Sequence, residues 1–323
     1  MTTPWLSIVM PTYNGERYLR ETFESLVLQN ERGFECVVVD GGSTDATRDI
    51  IDEYSRQLDV RLFVRPEFPN WVGKTNFAFG EARAKHVCML HHDDLWLAGR
   101  ARAVRETLER HPDAALVLHP SRLIDETGRA LGYWTCPLDP EPKVYQPAEM
   151  LERLMVQNFI SVPTPTFTRE SAIAVGGIDG SLWYTGDWDF YLKLARTGPT
   201  VYLDRALSCF RLHGQSLTIK GSADLGAFRQ QLDTVLERHI DAIAPEHRRR
   251  AIRRLAATSN EINTALAAAM HGSYASLPQA IGMLLALGPS GWLRYFELSR
   301  IVERVGSRLR ARRSLLAGTG SAA

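Results

Sequence analysis

Four short apolar runs, Leu6 to Met10, Phe34 to Val39, Val60 to Val64 and Val87 to Leu90, recur through the first ninety residues. Between them the apolar residues fall at helical spacing: Tyr18, Leu19, Thr22, Phe23 and Leu26, then Ile50, Ile51, Tyr54 and Leu58, then a segment near Thr75 to Lys85. Strands alternating with helices at this interval predict an α/β fold with a doubly wound, mostly parallel sheet. A parallel neighbour is reached only by a crossover, and the crossover helices must cover the two sheet faces. In such sheets ligands collect beyond the carboxyl ends of the strands. The first run ends in Pro11-Thr12-Tyr13-Asn14, the second in Asp40-Gly41-Gly42-Ser43-Thr44-Asp45 and the fourth in His91-His92-Asp93-Asp94, so three segments are expected to meet in one crevice.

The adjacent carboxylates of Asp93 and Asp94 repel each other. They are tolerated if solvated, if one keeps its proton, or if a divalent cation sits between them. His91 and His92 are poor candidates for one zinc ion, because neighbours on an extended strand point to opposite faces. No G-x-G-x-x-G follows the first strand and no G-x-x-x-x-G-K-[ST] is present, which removes the main support for dinucleotide and P-loop readings. Trp71 and Lys74, ahead of the fourth run, read as surface residues.

Further on, a helix near Ala98 to Arg110, a strand around Ala115 to Leu118, a Pro-rich connection from Cys136 to Pro147, a helix near Ala148 to Gln157 and a strand from Thr164 to Thr168 are expected. Thr185-Gly186-Asp187-Trp188-Asp189 then opens a helix, with Asp187 at its N-terminus, where a carboxylate can act as a cap. A last strand, Cys209 to Leu212, runs into His213. From about residue 222 the sequence turns Ala- and Arg-rich with no further strand, so residues 1–221 read as one domain and 222–323 as a helical extension.

Charge divides along the same line. From Asp241 onward there are twelve Arg, no Lys and five Asp or Glu, a net of +7; since the whole chain carries +1, the first 240 residues carry −6. An acidic front half argues against a nucleic-acid partner. Leu298, Val302, Val305 and Leu309 form one stripe of the tail and Arg300, Arg304 and Arg308 another, a pattern that suits an interfacial helix, a contact with a second copy in a homo-oligomer, or packing on the first domain. The four cysteines are scattered and read as core residues in a reducing compartment. With no signal-peptide pattern and no spanning stretch, the expected location is cytoplasmic, with any membrane contact peripheral and at the inner face.

Taken in order, Pro11-Thr12-Tyr13-Asn14, Asp40 to Asp45, His91-His92-Asp93-Asp94, Gly186-Asp187-Trp188-Asp189 and Arg211-Leu212-His213 resemble the motif set of the family-2 inverting glycosyltransferases of GT-A fold, over roughly residues 5–217. The resemblance implies a nucleotide-diphosphate sugar donor and a saccharide or lipid-linked acceptor, with a role in cell-surface polysaccharide or glycolipid synthesis. It implies donor contacts at Pro11, Thr12, Tyr13, Asn14, Asp40, Asn76, His91, His92 and Asp93. It further implies a Mg²⁺ or Mn²⁺ ion held by Asp93, with Asp94 and His213 beside it, and Asp187 as general base. Two departures stand out: His91 replaces the first carboxylate of the usual Asp-x-Asp-Asp segment, and Gly186 stands where relatives often carry Glu. The alternatives are a catalytically silent module of the same fold and a sugar nucleotidyltransferase. The latter should carry a Gly-rich basic loop after its first strand, which Pro11 to Glu16 is not.

Overall fold

The computed structural model describes residues 3–139, 143–214, 216, 224–306 and 310. The first half follows the expected alternation: β1 (Leu6–Thr12), α1 (Glu16–Val27), β2 (Phe34–Asp40), α2 (Thr47–Tyr54), β3 (Asp59–Val64), α3 (Trp71–Glu81) and β4 (His86–Met89). β1 runs through Pro11 instead of stopping there. It pairs with β2 along its whole length, whereas its pairing with β4 ends at Val9. At Pro11 the strand is therefore an edge on one side, where a missing N–H is tolerated.

Next come β5 (Leu95–Trp96), α4 (Arg100–Arg110), β6 (Leu116–Leu118), β7 (Ser121–Ile124), β8 (Ala130–Trp134), β9 (Lys143–Tyr145), α5 (Pro147–Val156), β10 (Thr166–Thr168), α6 (Arg169–Ala174), α7 (Gly186–Leu194), β11 (Thr200–Tyr202) and β12 (Ser208–Arg211). The main sheet has the order β3-β2-β1-β4-β10-β6-β11-β9. Its β1, β2, β3 and β4 are parallel, as are β6 and β11; β10 is inserted antiparallel between β4 and β6, and β9 is an antiparallel edge. A second sheet, β5-β12-β7-β8, lies beyond the carboxyl end of β4. Of its strands only β12 is expected from the sequence, as Cys209 to Leu212; the others, of two to five residues, are too short for a pattern of alternation to emerge.

The extension is helical among the described residues: α8 (Leu225–His239), α9 (Glu246–Met270), α10 (Leu277–Ala286), α11 (Gly288–Ser299) and a further helical turn over 301–306. It is packed onto the sheet domain. Phe228, Leu232, Val235 and Leu236 of α8 and Ile252, Leu255 and Ala256 of α9 belong to the same continuous core as Val9, Val39, Leu116 and Phe190.

Candidate active site

The loops after β1 and β2 are stitched together. The Asn14 amide donates to Ser43 Oγ (2.8 Å), its side-chain oxygen accepts from the Thr44 amide (2.9 Å), and the Gly15 amide donates to Thr47 Oγ1 (2.8 Å). Asn14 pays for this crossing with a left-handed backbone (φ 46°), which asparagine tolerates better than most residues. Gly15 is required for space: a Cβ there would stand 2.8 Å from the His92 ring. Thus the first, second and fourth strand ends share one crevice, as their order along the chain predicts.

Within it Asp40 is fully buried, its carboxylate accepting from the Ser43 amide (3.0 Å) and from the Ser43 hydroxyl. Lys74 is buried as well, which corrects its reading as a surface residue. It reaches under the β1 loop, donates from Nζ to the Thr12 carbonyl (3.1 Å) and lies 5.6 Å from the Tyr13 ring centre. Burial pushes the Lys74 pKa down, and the negative charge of Asp40 opposes that shift. The Thr12 hydroxyl, His91 Nε2 and His92 Nδ1 are buried polar atoms with no partner in the protein. Such a concentration of unmet hydrogen-bonding groups is costly unless a ligand satisfies them. His91 also faces the Trp71 ring at 5.5 Å between centres, and burial drives its pKa down to about 4, so it is neutral at pH 7.

The two carboxylates after β4 have separate tasks. Asp93 Oδ2 lies 2.9 Å from His213 Nε2, the contact that brings the end of β12 to the end of β4. Burial works to raise the Asp93 pKa, but the His213 hydrogen bond and the neighbouring His92 and His91 outweigh it and hold the carboxyl well below the usual range. Asp94 is turned inward. Its Oδ1 accepts the Arg211 backbone N–H (3.0 Å), its Oδ2 is buried without a partner, and burial together with the charge of Asp93 raises its pKa well above that of an ordinary carboxyl. Asp94, expected beside the metal, thus ties β12 to the end of β4 through one oxygen and leaves the other without a protein partner.

Arg211 holds the junction. Fully buried, it donates from Nε to the Asp93 carbonyl (2.9 Å) and from Nη2 to Glu21 (2.7 Å), and it stacks 4.6 Å from the Tyr18 ring centre. Asn76, expected as a donor contact, is a tether instead. Its amide nitrogen donates to the Ile178 carbonyl (2.8 Å) and its oxygen accepts the Ile178 N–H (2.9 Å), so both ends are engaged.

Asp187 sits in the first turn of α7, partly exposed. Its Oδ1 accepts the Trp188 N–H (2.7 Å) and its Oδ2 accepts from the Asn158 side chain (3.3 Å). Burial raises its pKa to about 6. Asn158, which the sequence reading missed, comes from the irregular segment after α5, and its own oxygen is fixed by the Ile160 N–H (3.1 Å). The Tyr191 hydroxyl is buried without a partner in the protein, and burial raises its pKa well above the ordinary value. Trp188 is a core residue, its Nε1 donating to the Leu154 carbonyl (2.8 Å).

Among the described residues no three or more His, Cys, Asp and Glu side chains converge on one point; Asp93 and His213, 2.9 Å apart, are the pair that could hold a metal here. That suits a hard cation completing its shell with water and phosphate oxygens, as Mg²⁺ and Mn²⁺ commonly do.

The sequence model of glycosyl transferase family 2 matches residues 7–175, just over half of the chain. The chain belongs to glycosyl transferase family 2. Among curated family relatives, an uncharacterized glycosyltransferase of Rickettsia typhi is 24% identical over 220 residues, 67% of this chain and 66% of that protein. The chondroitin synthase of Escherichia coli is 26% identical over 221 residues, 67% of this chain and 30% of that much longer protein. Among solved structures, residues 1–349 of Staphylococcus aureus TarS in complex with UDP-GlcNAc superpose with a TM-score of 0.66 at 18% identity, covering 95% of this chain and 89% of TarS 1–349. A mannosyltransferase from Pyrobaculum calidifontis in complex with GDP-Man and Mn²⁺ gives 0.55 at 17%, covering 96% and 88%. These likenesses establish the GT-A glycosyltransferase fold, with the C-terminal helices included in the superposed length.

Proposed function

We propose that this family-2 chain is an inverting transferase that moves a sugar from a nucleotide-diphosphate donor to an acceptor hydroxyl. The observation that carries the reading is the unlike setting of two carboxylates that the family motifs single out: Asp93 lies against His213, which holds its carboxyl below the usual range, and Asp187 is oriented by Asn158 and the Trp188 N–H, with burial raising its pKa to about 6. Environments that drive two carboxyls apart assign them different chemical tasks. Support also comes from the donors bound by structural neighbours, UDP-GlcNAc in TarS and GDP-Man with Mn²⁺ in the archaeal mannosyltransferase.

In this reading the acceptor oxygen attacks the anomeric carbon from the face opposite the diphosphate, and Asp187 takes the acceptor proton as the new bond forms. The anomeric carbon–oxygen bond breaks, its electron pair leaves with the diphosphate, and a single displacement inverts the configuration. Asp93 and His213 would hold a Mg²⁺ or Mn²⁺ ion, which neutralises the charge developing on the departing diphosphate. Thr12, His91 and His92 offer unmet polar atoms to the donor, and neutral His91 can give or accept a hydrogen bond where relatives place a carboxylate. Asn158 keeps the Asp187 carboxylate oriented.

A thermal-shift panel of UDP, GDP and dTDP with and without Mn²⁺ tests the donor side. Binding at a hundredfold over the dissociation constant adds about 2.7 kcal/mol of stability. The expected result is a rise in Tm of a few degrees with one nucleoside diphosphate, only when Mn²⁺ is present; no shift with any of them would count against a nucleotide-sugar donor.

For the acceptor, we favour a lipid-linked or membrane-proximal saccharide in cell-surface polysaccharide or glycolipid synthesis. Among the described residues no helix is long and apolar enough to cross a membrane. The surface of α10 and α11 is nevertheless apolar, with Leu285 59% and Leu293 75% exposed, and Val302 beyond them is 75% exposed. The tail does not present the face its periodicity suggests: Leu298 is buried, and Arg304 turns inward to Gln157 (2.8 Å) and Asn263. Arg308, Leu309, Arg312 and Arg313 lie outside the described residues. The double substitution Leu285→Glu, Leu293→Glu is expected to reduce sedimentation with phosphatidylserine vesicles while leaving Tm unchanged. Undiminished sedimentation would rule out this face as the contact.

A further inference from the structure

The turn that presents Asp187 is held in part from outside its own helix. Thr185 occupies the N-cap position of α7 and makes no side-chain cap; its carbonyl accepts the Asp189 N–H (3.0 Å), and the Trp188 N–H is met by Asp187 itself. The backbone just before the helix is held from α8, in the segment that the sequence reads as an extension. Gln231 is buried, and its Oε1 accepts from the Tyr184 amide (2.9 Å), the Thr185 amide (3.3 Å) and the Thr185 hydroxyl (3.5 Å). The Tyr184 ring then packs edge-on against Phe228, one turn earlier on α8, at 4.8 Å between centres. On the far side of Asp187, buried Asp189 is clasped by the end of α8, with Arg238 Nη1 and His239 Nε2 each 2.9 Å from its Oδ1, while Lys193 of α7 itself pairs with its other oxygen at 2.7 Å. Arg238 also reaches Asp179 in the loop before α7 (2.9 Å). The residues two before and two after Asp187 are therefore both anchored to α8.

We propose that α8 is a working part of the active site and that Gln231 is a positioning residue for transfer, fixing the Tyr184–Thr185 backbone from which Asp187 is aimed. This inference rests on Asp187 being the base. Gln231 touches neither substrate nor Asp187 itself; it acts through the backbone that leads into the α7 turn. A displacement of about 1 Å at a reacting group can cost on the order of 10²-fold in rate, so the loss of three hydrogen bonds at this point belongs to kcat and not to donor affinity.

The test compares full-length wild type with Gln231→Met, which keeps the length of the side chain but removes the acceptor, and with Gln231→Glu, which keeps the acceptor. Rates are referred to the concentration of donor-binding sites measured by calorimetry, so that a partly unfolded sample does not imitate a slow one. The expected result is a fall in kcat of roughly 10- to 100-fold for Gln231→Met, with donor KM within about twofold of wild type, and recovery of most of the loss in Gln231→Glu. A Gln231→Met kcat within twofold of wild type, or an equal loss in both variants, would overturn the proposal. Asp187→Asn run in parallel separates the two levels. If it transfers sugar at the wild-type rate, the assignment of the base has failed. If it is inactive while Gln231→Met is normal, only the positioning role has failed.

Discussion

Replacing Asp187 by asparagine is expected to lower kcat by about 10²- to 10⁴-fold, the range that general-base assistance contributes, while donor affinity stays near wild type. Asparagine preserves shape, and its single oxygen can keep the shorter of the two orienting contacts, that from the Trp188 N–H, while the one from Asn158 is lost. What is lost is the ability to take a proton. The same residue sets the pH profile. Its pKa is raised to about 6 by burial, and the base works only in its ionised form. The rate should therefore climb as pH rises through about 6 and level off above it. Below that point it should fall about tenfold per pH unit. A steady-state profile of wild type from pH 4.5 to 8 checks this, and a rate flat across that range would remove Asp187 from the role.

The second large effect is expected at Asp93. Asp93→Asn removes the negative charge that pairs with His213 and would anchor the cation. Metal stabilisation of charge on a leaving group is worth several kcal/mol, so kcat/KM should fall by about 10³-fold or more. Added Mn²⁺ should restore little of it. Asp94→Asn should behave differently: the buried Asp94 carboxyl accepts an N–H from Arg211, a task an amide oxygen can also perform, and burial already disfavours its charged form. Initial rates of both variants across a Mn²⁺ titration read the contrast directly.

Much of this arrangement is legible in the sequence, and what is not has a physical reason. The runs at Leu6, Phe34, Val60 and Val87 announce a parallel sheet because each is apolar and alternates with a helical segment, so the crevice at Thr12, Asp40 and Asp93 follows from topology. Of the second sheet only β12 announces itself; its partners β5, β7 and β8 are too short to do so, although that sheet places His213 against Asp93. Residues whose work is done through distant partners are equally silent. Arg211 reaches Asp93 across 118 positions, Asn158 reaches Asp187 across 29, and Gln231 reaches Tyr184 across 47. In each case the residue type is common and the partner lies on another element, so no local spacing marks the pair. Lys74 and Asn76 mislead for the opposite reason. Their positions before the fourth strand are conspicuous, but whether a side chain faces the crevice or the protein depends on the rotation of α3, and that is fixed by packing against β1 and β2 rather than by its own weakly amphipathic sequence.

The division of labour between the two carboxylates is open to one direct measurement. Calorimetric titration of the preferred nucleoside diphosphate into wild type, Asp93→Asn and Asp187→Asn, each with and without Mn²⁺, needs no knowledge of the acceptor. The expected result is Mn²⁺-dependent binding that survives in Asp187→Asn and disappears in Asp93→Asn. Equal binding by all three proteins, with or without the metal, would contradict a site built on a cation at Asp93 and a separate base at Asp187.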